Sequence, residues 1–584
     1  MKPLSSKRLV KYLEELKSEE VKRRTSAVRH LHMIAEAFGP EKTLKTILPF
    51  LKEYENDEEE VLIELARQLE LLGNILSRAA ELTTEIVPYY YIVLSYEDMS
   101  VVNEGMMSLK RLVVRHGLKH ESLAVLAKEL LAIATPKALA SAIRIFCELN
   151  GYIARKHFDL IRKAVEDNLT NVNCVVRKET AVALRYLVSD DDEYTKIAIK
   201  GLKTLFNDPQ DTVKVHALES LCKQKTNKSV MPVVIPIVLD PSVRKSWRLR
   251  YVAAAHVLRI LDFATSRAPL VDMFVSLLLD DELEVTVKAV ASLRKSAKSL
   301  REDEVVEKVL PAFKTIATSK DVERKAAVAG SVLYLAPVVG KSQSNEHIKE
   351  ILVSLLKDEN SSIRVELLKN HEPLATVLPL SSLVNILNPV FKRLLGDKDW
   401  KVREQGVIAL ERYLIKLGDV YCSSDSVLDD IKANLRDRVY SVRQAALGLV
   451  YGLSERFGEK WTEKYALALL SSFAKNGNYL MRLNYVCGLR MIFKLLSPDV
   501  LKKEAETVSQ LCNDRVANVR FQALLALLFF FEYAEDPDIE KLILAVCGEL
   551  EKDKDSDVQS LVRELIIALD FKTCVRKLIL EKAK

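Results

Sequence analysis

DRVANVRFQALLAL, Asp514 to Leu527, is the phrase on which the fold turns. A turn residue, Asp514, is followed by four variable positions, the aliphatic Val519, the basic Arg520 and an apolar run suited to a helix. The same phrase returns as DRVYSVRQAALGLV from Asp437 and as DKDWKVREQGVIAL from Asp397. A phrase that recurs at a spacing of roughly 20 to 50 residues marks an array of small structural units rather than one large core.

Working outward from the basic position gives one slot per unit: Arg24, Leu62, Val102, Leu139, Arg177, Lys214, Arg250, Thr286, Lys325, Arg364, Arg403, Arg443, Arg482, Arg520 and Gln559. Neighbouring slots lie 36 to 40 residues apart, ten of the fifteen are Arg or Lys, and twelve follow Val, Leu, Ile or Met. That regularity assigns the whole chain to about fifteen repeats. Each repeat reads as two antiparallel helices, for example Leu383 to Leu395, a polar turn through Asp397, and Trp400 to Leu417 with apolar residues at helical spacing. The expected fold is therefore all-α, a right-handed superhelix of HEAT-type helix pairs forming a single solenoid over residues 1–584. A lone pair buries too little apolar surface to fold, so each must lean on its neighbours. With helices about 8 to 10 Å apart, the stack would extend on the order of 150 Å.

Prolines 49, 88, 236, 311 and 389 fall 13 or 14 residues before a slot, inside the first helix, where loss of a backbone donor should kink it. Asp at 208, 280, 358, 397, 437, 514 and 553, with Asn at 56, 171 and 476, stands six positions before a slot. An Asx there suits the turn and is expected to cap the second helix. The slot residue, one turn into that helix, can reach the Asx of the adjoining repeat. These residues read first as a structural ladder and second as partner contacts.

Composition agrees with a helical array: only 17 Gly and 17 Pro in 584 residues, with 49% hydrophobic and 29% charged. The first residues mix Lys, Arg and Glu with isolated apolar positions, unlike a secretory signal. The longest apolar run, Ala523 to Phe531, is shorter than the roughly 20 residues of a membrane span. The expected compartment is the cytoplasm, with the nucleus as a second, and no membrane insertion is expected. Eight dispersed cysteines without a CxxC pair are read as buried thiols, without disulfides or zinc.

No phosphate loop, dinucleotide fingerprint, HExxH or GxSxG appears. His116 and His120 lie four apart but flank Gly117 with no ligand set beside them. No catalytic residue, metal site, cofactor or small-molecule substrate is assigned, and the chain is read as a binding scaffold rather than an enzyme. The net charge of +6 is mixed, 87 basic against 81 acidic residues, which weighs against nucleic acid as the partner.

In such arrays the second helices and the turns between paired helices line one binding face. Trp247, Trp400 and Tyr440 stand two or three residues before a slot, where a large aromatic is not needed for the core. Trp247 and Trp400 are followed by Arg248 and Lys401, a pairing typical of interface hot spots. The competing reading is that each aromatic caps the edge of its own repeat. Trp461, after Gly458, reads as packing between repeats.

KSWRLRY at Lys245 to Tyr251, DWKVR at Asp399 to Arg403, DRVYSVRQAA at Asp437 to Ala446, GNYLMR at Gly477 to Arg482 and DRVANVRF at Asp514 to Phe521 resemble, in order and spacing, the scaffolding A subunits of protein phosphatase 2A. FGPEKTLKTILPFL from Phe38 and DEEEVLIELARQL from Asp57 are similar to that family's first two repeats. The resemblance implies a horseshoe that assembles a Ser/Thr phosphatase. It implies a catalytic subunit on the last five repeats, approximately 380–584, meeting Trp400, Lys401, Tyr440, Tyr479, Arg482 and Arg520. It also implies an exchangeable regulatory B-type subunit on approximately 1–300, meeting Arg177, Lys178, Lys214, Trp247 and Arg248. Departures cluster toward the amino-terminal side: Thr135-Pro136-Lys137-Ala138 replaces an aspartate and tryptophan turn, Cys174 replaces a proline and Arg244 an acidic residue. The alternative is a HEAT-repeat adaptor for another cargo or for nucleic acid, unrelated to phosphatases.

Overall fold

A computed structural model describes residues 6–76, 82–116, 121–133, 135–188, 192–223, 230–343, 347–370, 388–534 and 536–567. His120, Gly117 and 383–387, named above, and Cys574, one of the eight cysteines, lie outside these residues. Among the described residues every regular element is helical. The chain divides into two compact units, Met1–Phe274 and Val275–Lys584.

Each unit is a stack of helix pairs. In the Met1–Phe274 unit the second helices run Val21–Arg29, Glu59–Leu76, Met99–His116, Pro136–Glu148, Cys174–Leu184, Asp211–Cys222 and Trp247–Ile260, each against the next. In the Val275–Lys584 unit the succession is Leu283–Ser296, Val322–Ala329, Ser361–Lys369, Trp400–Leu417, Tyr440–Phe457, Tyr479–Ile492 and Ala517–Ala534. First helices such as Asp425–Leu435 and Pro498–Leu511 cover the other side of these layers. The interior is apolar and continuous from pair to pair, with Leu410, Val450, Leu489 and Leu527 buried at equivalent positions. Gly418 (φ 89°) ends the Trp400–Leu417 helix and Gly458 (φ 81°) the Tyr440–Phe457 helix, a backbone conformation costly for any side chain bearing a Cβ.

The first helices are segmented. Pro49 and Pro311 each follow a wide π-type turn, Thr43–Ile47 and Val305–Val309, so the missing donor coincides with a break in the ordinary ladder. Pro88 sits in a tight 3₁₀ stretch, Leu82–Tyr90, and Pro236 within Met231–Val238. Trp461 is buried and donates its indole N–H to Ser423 Oγ at 3.1 Å, 38 residues away, joining neighbouring repeats.

Candidate binding ridge

The turn between paired helices is built by a clamp around the slot residue. Arg403 spans the Asp437 carboxylate with Nε–Oδ2 at 2.6 Å and Nη2–Oδ1 at 2.9 Å. Its Nη1 turns back to the carbonyls of Asp397 and Lys398 at 2.8 and 3.3 Å. One guanidinium thus closes its own turn and ties it to the next repeat, the planar fork matching the carboxylate. Arg24–Asp57, Arg177–Asp208, Lys325–Asp358, Arg364–Asp397, Arg482–Asp514 and Arg520–Asp553 repeat the cross-link.

The aspartate's role differs from the expected cap. Asp397, Asp437 and Asp514 accept the amide two residues on, from Asp399, Val439 and Val516 at 2.8 to 2.9 Å, which makes an Asx turn rather than a cap. The cap lies four positions before the slot: Asn173, Asn360, Asp399 and Asn478 accept from Val175, Ser362, Lys401 and Leu480. The Asx six positions before the slot is still one residue short of the bend, and its carboxylate is taken by the neighbouring arginine.

Burial pushes the Asp437 carboxyl upward, but hydrogen bonds from Arg403 and the Val439 amide outweigh it and hold the group below its ordinary value. Asp208, Asp358 and Asp514 show the same balance of burial against their Arg or Lys partner. At Asp553 the hydrogen bond from Arg520 is the leading cause of the lowering.

Arg177, Arg482 and Arg520 therefore have their guanidinium groups committed to the ladder. Arg443 holds only half of a clamp: it donates to the carbonyls of Asp437 and Arg438 at 2.9 and 3.2 Å, and its Nε–H has no acceptor. The equivalent residue of the next repeat is Asn476, which brings no charge.

The aromatics stand outside this clamp. Trp247, Trp400, Tyr440 and Tyr479 are each the first residue of a second helix, three before the slot, with exposures of 36%, 38%, 63% and 42%. The Arg248 guanidinium lies 4.7 Å from the Trp247 ring centroid, Lys401 5.9 Å from Trp400 and Arg443 5.8 Å from Tyr440, within cation–π range. The Trp400, Tyr440 and Tyr479 helices pack consecutively, so three aromatics form a row along one edge of the Val275–Lys584 unit. A groove of about 610 Å³ opens beside Asp399 and Lys401, floored by Val290, Ala326 and Gly330 and rimmed by Arg294 and Glu366. In the Met1–Phe274 unit Lys178 lies 3.4 Å from Glu179, Lys214 is half-buried, and Arg248 is exposed. Two residues missed in the sequence also reach this edge: Val172, 99% exposed in the turn after Asn171, and Tyr251, one past the slot. Val172 carried no signal because an aliphatic residue near a slot reads as core.

Among the described residues no group of three or more His, Cys, Asp or Glu is placed to hold a metal ion, and no helix is long and apolar enough to cross a membrane.

Residues 264–340 match the family model described as PPP2R1A-like HEAT repeat. The regulatory A subunit of protein phosphatase PP2A from Saccharomyces cerevisiae is 26% identical over 267 residues, covering 41% of each chain. The chain is thus similar to the HEAT-repeat A subunits of PP2A. Further relatives agree: the beta isoform of the human 65 kDa regulatory A subunit is 25% identical over 397 residues, 61% of this chain and 62% of its own. The 65 kDa regulatory subunit of Drosophila melanogaster is 34% identical over 106 residues, 18% of this chain and 17% of its own. The matched stretches thus span less than two thirds of each of these relatives. In fold the chain is also similar to the karyopherins of two solved structures. Kap121p bound to RanGTP gives a TM-score of 0.57 at 14% identity over 94% of this chain and 59% of that one. Kap95p bound to RanGDP gives 0.59 at 13% over 96% and 76%. At such identities the likeness is one of helical-repeat architecture alone.

Proposed function

We propose that the chain is a non-catalytic scaffold of a PP2A-type Ser/Thr phosphatase, working in the cytoplasm and nucleus, and that its aromatic ridge receives the catalytic subunit. The observation that carries the reading is the row Trp400, Tyr440 and Tyr479: three successive second helices begin on an exposed aromatic, the first two beside a cation. Large rings held at the start of rigid helices offer contact area at little entropic cost. Lys401 supplies charge, while Arg482 and Arg520, held by Asp514 and Asp553, position the turns from which these rings project. Trp247 and Arg248, with Lys178 and Lys214, are the corresponding contacts for an exchangeable regulatory subunit, and Arg177 fixes their turn through Asp208. Holding two subunits on one body raises their effective concentration toward each other. The relatives' names, which describe regulatory and 65 kDa regulatory subunits of PP2A, support the phosphatase part of this reading.

The test is binding of a purified PP2A catalytic subunit to the full chain by calorimetry. Trp400→Ala with Lys401→Ala should weaken binding by about 2 to 4 kcal/mol with unchanged helicity. Unaltered affinity would remove the row from the interface, and absence of binding by the unmodified chain would remove the phosphatase.

A further inference from the structure

The turn ridge of the Met1–Phe274 unit changes sign along its length. Its second and third turns come together around Glu55, Glu59, Glu97 and Asp98, which line one groove with Tyr96. Its fifth to seventh turns are joined through Arg177–Asp208 at 2.6 Å and through Ser246 Oγ–Asp211 at 2.9 Å, and they end in Arg244-Lys245-Ser246-Trp247-Arg248. Arg244, Lys245 and Arg248 are exposed and form no ion pair among the described residues. The nearby carboxylates are occupied: Asp240 caps the Pro241–Lys245 helix through the Ser242 amide, and Asp211 accepts from Ser246. Trp247 presents its ring beside these cations, with Arg248 stacked at 4.7 Å, and the fully exposed Val172 lies on the same ridge two turns earlier.

Three exposed cations within five residues, of which only Lys245 also faces a carboxylate, that of Asp240, attract a local group of carboxylates, and the arginine forks can take them bidentately. The exposed Trp247 and Val172 add apolar contacts that a protein segment satisfies. A nucleic acid following the ridge needs charge neutralised along its whole track, and toward the second and third turns it meets Glu59 and Glu97 instead.

We propose that the Arg244–Arg248 turn is a docking site for an acidic protein segment carrying apolar side chains. This rests on the reading that this unit receives a regulatory partner and names that partner's chemistry: carboxylates over Arg244, Lys245 and Arg248, and an apolar residue on Trp247. The acidic second and third turns repel the segment's own charge and fix the direction in which it lies.

The probe is a short labelled peptide of Asp, Glu and Leu, compared by fluorescence anisotropy with its Asn, Gln and Leu counterpart and with a short single-stranded DNA, on the full chain. The acidic peptide should bind, the neutral one should not, and Arg244→Glu with Lys245→Glu and Arg248→Glu should weaken binding by about 10-fold or more. Glu55→Lys with Glu59→Lys should not weaken it. The corresponding Gln variants of the three cations, which reverse no charge, should also lose binding with circular dichroism unchanged. Equal binding by the triple variants overturns the site, and tighter binding of the DNA than of the acidic peptide overturns the protein-segment assignment. Peptide binding that needs the three cations, alongside a purified PP2A regulatory subunit that does not bind, would uphold the dock and sink the phosphatase reading.

Discussion

Two stretches of the molecule, one in each unit, solve the same problem, holding one helix pair to the next, with different chemistry. From Lys325 to Asp553 the link lies in the turns, where Lys325, Arg364, Arg403, Arg482 and Arg520 each reach the aspartate of the following repeat. In the second to fourth repeats of the Met1–Phe274 unit the slot is Leu62, Val102 and Leu139, with the first two fully buried. There the polar links lie further along the second helices: Arg111 to Glu70 at 2.6 Å, His116 to Asn74 at 2.8 Å and Arg144 to Asn103 at 2.7 Å. A buried two-point clamp fixes a turn rigidly, whereas the half-exposed Arg111 on its helix face is screened by water and costs more entropy to hold. The aromatic row is mounted on the clamped turns, which suits rings that must be presented in a fixed register.

The contrast breaks most strongly at Arg403. Arg403→Ala strands the buried Asp437 carboxylate and should cost about 3 to 5 kcal/mol, whereas Arg111→Ala in the other unit should cost about 1 kcal/mol or less; denaturant unfolding of the two variants compares them, and equal losses would erase the distinction. A smaller effect of opposite sign is expected at the gap. Asn476→Asp gives Arg443 the carboxylate its neighbours possess and should stabilise by about 1 to 2 kcal/mol, read as a raised unfolding midpoint; no gain would mean that Arg443 cannot reach across.

The smallest effect is on pH. Asp358, Asp437, Asp514 and Asp553 are all held below the ordinary value of 3.8 by their partners. Because folding lowers these values, their stabilisation is complete above the unfolded value and is lost as pH falls through the folded ones. Between neutrality and about pH 4 the Val275–Lys584 turns should keep their amide protection, and below that they should open before the second to fourth turns of the other unit. Hydrogen exchange across that range measures it, and simultaneous opening would show that the ladder is not the governing link.

Much of this was legible in the sequence because a repeat states its rule many times over. Arg403 and Asp437 could be paired in advance, since the same spacing recurs at Arg482 and Asp514. The N-cap was misplaced by two residues, because Asp397 and Asp399 in DKDWKVR are equally good acceptors by type and only the bend of the backbone decides which faces the first free amides. Trp400 and Tyr440 could be singled out as surplus to the core, but Val172 could not, since an exposed aliphatic and a buried one look alike in a periodic pattern.

The amino-acid order by itself determined the helix pairs, their period and the partners of the ladder, because 3.6-residue periodicity and repeated spacing are local, one-dimensional properties. The tertiary structure decided which charges are spent and which remain. Arg482 and Arg248 are equally basic in sequence, but stacking the repeats brings Asp514 to the first and leaves the second exposed beside Trp247. That choice depends on distances across 30 to 40 residues of chain, which no local pattern encodes.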